Sequence, residues 1–110
     1  MTTLVEQVID LQPGAEWYSP PFALHIGRTL HVWGIGTVRF YAHVVNTALF
    51  DQLRGPGMQG APRPWPFPFG SDRTEHDQYA PVQIGGMFRM VVRLGVFNMA
   101  GRVRVRVSED

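Results

Sequence analysis

Four histidines, His25, His31, His43 and His76, are the first residues to weigh for metal or acid–base chemistry. No two of them stand at the H-x-H or i, i+4 spacings that bring two imidazoles to one ion. Cupin and jelly-roll oxygenase patterns need clustered histidines with a carboxylate, and that cluster is missing. Glu75-His76-Asp77 is a compact polar triplet, read as a solvated loop because neighbours in sequence do not converge without a fold in the backbone. Serine occurs three times, at Ser19, Ser71 and Ser108, and none sits in a G-x-S-x-G elbow. Gly34-Ile35-Gly36 lacks a third glycine and leads into a strand pattern, so it forms no phosphate cradle. The nine carboxylates lie mostly in turns and at the ends, which gives no glycosidase-type pair. No catalytic constellation is legible, and no metal or cofactor is expected.

Binding chemistry is more visible. All ten basic residues are arginine, the cation best suited to bidentate pairing at interfaces. Arg102, Arg104 and Arg106 form one row at strand spacing, and Arg89 and Arg93 form another. Were their strands neighbours in a meander, the five guanidiniums would make one electropositive patch; the alternative is a solvated face or a charge-protected edge. The second candidate is Pro62-Arg63-Pro64-Trp65-Pro66-Phe67-Pro68-Phe69, where alternating prolines forbid helix and interior strand. Trp65, Phe67 and Phe69 either close over the domain as a lid or stand exposed as an interface. A sugar platform made of Trp17, Tyr18, Trp33 and Trp65 is a further option.

These side chains are carried by a chain of 110 residues, 45% apolar, with no cysteine and a formal charge of +1. That length makes one domain with a real core. The missing cysteines exclude disulfides and thiolate sites. No apolar run of membrane-spanning length occurs, and the start of the sequence carries no secretory-signal pattern. Near-neutral charge argues against a nucleic-acid partner.

Twelve glycines and nine prolines punctuate short runs of period two, the signature of an all-β fold. Residues 1–16 are read as an N-terminal arm or first strand, although Thr3 and Glu6 at capping-box spacing, with Leu4, Val5, Val8, Ile9 and Leu11, also allow a helix over 1–12. Phe22, Leu24 and Ile26 share one face, and Leu30 to Trp33 follows. Gly34 and Gly36 mark a bend or bulge. Val38, Phe40, Ala42 and Val44 then oppose Arg39, Tyr41 and His43. Asn46 to Arg54 has the makings of a short helix, and 55–81 is expected to be one long irregular insertion. Phe88, Met90, Val92 and Leu94, then Val103, Val105 and Val107, complete the inward set. The expected architecture is a small antiparallel β-sandwich or jelly-roll-like barrel.

Three stretches carry a resemblance: Gly14-Ala15-Glu16-Trp17-Tyr18-Ser19-Pro20-Pro21-Phe22, then Tyr79-Ala80-Pro81-Val82 with Phe88-Arg89, and the closing strand Gly101 to Val107. In this layout the chain resembles the small accessory virion proteins of tailed bacteriophages. The resemblance implies a non-enzymatic structural protein of the virion, a capsid decoration or cement protein or a neck or tail component. Its implied partners are other virion proteins, the major capsid protein first. Self-association as a homo-oligomer is compatible with this layout although no residue points to it, and the missing apolar run leaves no membrane partner expected. A carbohydrate-binding module is the reading from another class.

Overall fold

The fold is seen in a computed structural model, which describes residues 1–47, 73–94 and 99–110. The expected short helix after Asn46 and the strip containing Trp65, Phe67 and Phe69 lie outside those residues. The described chain forms seven strands: β1 (Thr2–Leu11), β2 (Glu16–Tyr18), β3 (Phe22–Leu24), β4 (Thr29–Asn46), β5 (Arg73–Pro81), β6 (Gly86–Leu94) and β7 (Gly101–Glu109). All pairings are antiparallel, within one sheet ordered β1-β7-β4-β6-β2, with β5 added to β4 and β3 added to β6. β1 and β2, at the two ends of that path, come into contact, so the sheet is nearly closed into a barrel. The all-β expectation holds, and the N-terminal segment is its first strand.

β4 organises the molecule. Its first half, Leu30 to Gly36, pairs with β7 on one edge, and Leu30 to Ile35 pairs with β5 on the other. Phe40 pairs with both Arg73 and Leu94, so β6 lies on the edge opposite β5. β7 and β6 therefore follow one another along the same edge of β4. Between the two halves the register with β5 shifts from Ile35 to Phe40, the irregularity that Gly34 and Gly36 foreshadow. The Phe40 ring fills the space those glycines leave open.

The period-two pattern becomes the core directly. Phe40, Ala42, Val44, Val103, Val105 and Val107 are fully buried. Each valine of β7 contributes about 1.5–3 kcal/mol by leaving water. Ile9 and Leu11 of β1 and Leu30 and Val32 of β4 join the same cluster. Val45 and Val91 are buried too, although they lie on the opposite face, so the β4–β6 end of the sheet is covered on both sides.

Two expectations about elements are corrected. The insertion 55–81 is not irregular to its end, because 73–81 is the strand β5. Its alternation is disguised by polar residues: His76, Gln78 and Ala80 point inward while Glu75, Asp77 and Tyr79 point out. Ile26 does not share the face of Phe22 and Leu24. β3 ends at Leu24, and the chain turns at His25, where Arg28 N–H donates to its carbonyl and Gly27 takes φ +89°. Ile26 is consequently 72% exposed.

Prolines shape the other edge of β6. β2 and β3 pair with β6 in succession, interrupted by Ser19-Pro20-Pro21. A proline nitrogen cannot donate to the ladder. Ser19 bridges the interruption instead, its N–H donating to Met90 O and its Oγ accepting from Met90 N–H, both at 2.9 Å.

Candidate docking face

Antiparallel register and the alternation of side chains place a fixed set of residues on the outer face of β5, β4, β7 and β1. Across the strands, Asp77 pairs with Trp33, Trp33 with Arg106, and Arg106 with Glu6. The next row on this face is Glu75, Ile35, Arg104 and Val8. One row the other way stand Tyr79, His31 and Ser108. Each of the first two rows thus runs acid, apolar residue, arginine. Val8, Ile35 and Tyr79 are 52%, 43% and 60% exposed, too much surface for strand residues that serve only the core.

The polar groups of the face are held in place. His31 Nε2 donates to Asp77 Oδ1 at 2.5 Å, and the Tyr79 ring stacks on His31 with centroids 4.2 Å apart. Trp33 lies beneath two guanidiniums, Arg106 at 5.1 Å and Arg104 at 5.9 Å from its centroid. That cation–π layer orients the arginines without neutralising them. Arg104 also reaches Glu6 at 3.0 Å, and Arg102 reaches Asp10 at 2.8 Å. The hydrogen bond to Asp10, then its charge, raise the Arg102 guanidinium above its ordinary value.

The five arginines named from sequence do not form one patch. β6 and β7 lie in succession along β4, so the row of Arg93, opposite Tyr41, is six residues along β4 from the row of Arg104, opposite Ile35. At strand rise that is about 20 Å. Arg93 lies over the Tyr41 ring at 4.8 Å and stands opposite Glu16, and Arg89 donates to Ser19 O at 2.9 Å. Both are half-buried and serve the β2–β6 junction, whereas Arg102, Arg104 and Arg106 belong to the outer face.

Other sequence candidates also resolve into local roles. The Glu75-His76-Asp77 triplet is part of β5 rather than a solvated loop, and its members point to opposite faces. His76 is buried, donating from Nε2 to Phe40 O at 2.8 Å with its ring tilted against Phe40. Trp17 packs against the core, and Tyr18 donates its hydroxyl to Glu16, so neither is presented as a platform. Among the described residues no three histidines and carboxylates gather as a metal site. Sequence reading missed Ile35, Tyr79 and Val8 as surface residues. The signal was present in the parity of His31, Trp33 and Ile35, opposite to that of Leu30 and Val32. Comparison with protein-family models, with curated proteins and with solved structures finds no match to this chain.

Proposed function

We propose that this protein is a non-enzymatic structural component that binds neighbouring protein subunits through the outer face of β5, β4, β7 and β1. The assembly it serves, on this reading, is a phage virion, with the chain as a capsid decoration or cement protein. The observation that carries the docking role is the exposed strip Val8, Ile35 and Tyr79 around Trp33, framed by charges of both signs. An apolar centre with an arginine-rich rim is the anatomy of protein interfaces. Repetition on a lattice multiplies weak contacts of this kind. A protein partner is favoured over a sugar because the Trp33 ring is already covered by Arg104 and Arg106, and Trp17 is turned to the core.

The test is co-purification. Particles from cells making the chain are banded on a density gradient and compared with particles carrying Ile35→Lys or Tyr79→Lys. The expected result is the wild-type chain in the particle band at a fixed ratio to the major capsid protein, and both variants released. A wild-type chain absent from the particles sinks the virion reading, and equal retention of the variants sinks the docking face.

A further inference from the structure

The rows of the outer face have a symmetry of their own. Taken along β4, the acids Glu75 and Asp77 form a column on β5 to one side. The arginines Arg104 and Arg106 form a column on β7 to the other. The columns are in step, since Asp77 and Arg106 both flank Trp33, and Glu75 and Arg104 both flank Ile35. Among the described residues neither Glu75 nor Arg106 takes part in an ion pair.

We propose that the occupant of this face is a second copy of the same chain, related by a two-fold axis parallel to β4. The inference rests on the docking reading above and names its partner. Rotation about such an axis, lying between two facing sheets, exchanges the sides of the sheet while keeping the height along the strand. It sets Trp33 and Ile35 near their own counterparts. Asp77 then faces Arg106 of the other copy and Glu75 faces Arg104, and each contact is made twice, as a two-fold interface requires. An axis across the strands would lay arginines over arginines and acids over acids, which the charges oppose. The face is therefore self-complementary in one orientation only.

Packing of this type places sheets about 10 Å apart, with strand directions within about 30° of each other. Arg104 keeps donors for a second carboxylate after meeting Glu6, because a guanidinium carries several N–H groups. The charges fix orientation more than they add affinity. An axis along β4 overlays the β5, β4 and β7 strands of the two copies, so at about 4.8 Å spacing the contact is only about 14 Å wide, at the small end for a stable interface. Association is accordingly expected in the micromolar range and to weaken with salt.

Sedimentation of the full chain over a series from low micromolar to millimolar tests this. The mass should move from 12.4 kDa towards twice that value. Ile35→Lys, at an exposed position on the axis, should hold the chain monomeric. Arg104→Glu with Arg106→Glu should also be monomeric, as should Glu75→Arg with Asp77→Arg. Mixing these two double variants should restore a dimer, because each then presents columns opposite to the other's. A wild-type chain that stays monomeric to millimolar overturns the proposal, and so does a dimer indifferent to Ile35→Lys and to salt. If the wild type is monomeric yet still binds particles through this face, the second-copy assignment fails and the docking reading stands. If it dimerises as described but is absent from particles, the second-copy assignment and the docking face stand and the virion reading fails.

Discussion

The ring of Phe40 lies over the backbone of Gly34, so close that a Cβ on that glycine would stand 2.9 Å from the ring's Cζ. The same ring would stand 2.9 Å from a Cβ on Gly36, which would also meet Val38 O at 2.7 Å. β4 can change partners from β7 to β6 at this point because its core face carries no side chain at Gly34 and Gly36, which lets a fully buried phenylalanine fold back on the strand.

Gly34→Ala and Gly36→Ala are expected to destabilise the fold by about 1–3 kcal/mol each, the range for overpacking a filled core. Urea unfolding measures this. Gly36→Ala should be the worse of the two, since a backbone carbonyl yields less readily than a ring. Gly101→Ala makes a closer nominal approach, 2.3 Å to Val38 Cγ2, but a side-chain methyl can rotate away. It should cost less than either. A Gly101→Ala penalty equal to that of Gly36→Ala would show that the bend is not constrained in this way.

A different constraint holds the β2–β3 edge. Ser19 Oγ gives Met90 N–H the acceptor that a strand broken by two prolines has moved out of reach, and both groups are buried. Ser19→Ala should leave that N–H unsatisfied and cost about 1–3 kcal/mol. Amide exchange at Met90 should accelerate more than at Val92 in the same strand. Unchanged exchange at Met90 would mean that the hydroxyl is dispensable.

These two devices mark the limit of what the sequence made legible. Alternation in Val38 to Val44, Phe88 to Leu94 and Val103 to Val107 reports which side chains face inward, and all of those named are buried except Val38, which is half-buried against the core. Alternation carries no information about which strand lies beside which. The two arginine rows could therefore be read as one patch, when β4 in fact receives β7 and β6 one after the other. β5 escaped notice for a related reason. Its inward residues are His76, Gln78 and Ala80, so its period is written in polar residues that hydrophobicity does not detect. The outer face was half visible: its arginines stood out, but Ile35 and Tyr79 gain meaning only when the register sets them in rows with Arg104 and Ser108.

The last residues of β7 show how an acidic end can be structural. The Glu109 side chain is only 10% exposed, and its two oxygens are divided between the backbone N–H of His25 at 2.6 Å and the ring Nδ1 of the same residue at 2.8 Å. Beside it, Thr29 and Asp110 exchange backbone hydrogen bonds, with Thr29 N–H donating to Asp110 O and Asp110 N–H to Thr29 O. The 25–28 turn is thus tied to the end of β7 by one carboxylate and one ladder pair. A carboxylate acceptor makes a stronger bond than a neutral one, while the exposure of His25, 67% at its side chain, lets water compete for the ring contact. Most of the effect should therefore come from the backbone N–H. Glu109→Ala is expected to cost about 1–2 kcal/mol and to speed amide exchange at His25. Glu109→Gln, which keeps one oxygen for that N–H, should lose less than half as much. His25→Ala removes the ring but leaves the backbone donor in place, so it should be milder than Glu109→Ala. If His25→Ala proves the costlier substitution, the imidazole rather than the amide is what anchors the turn.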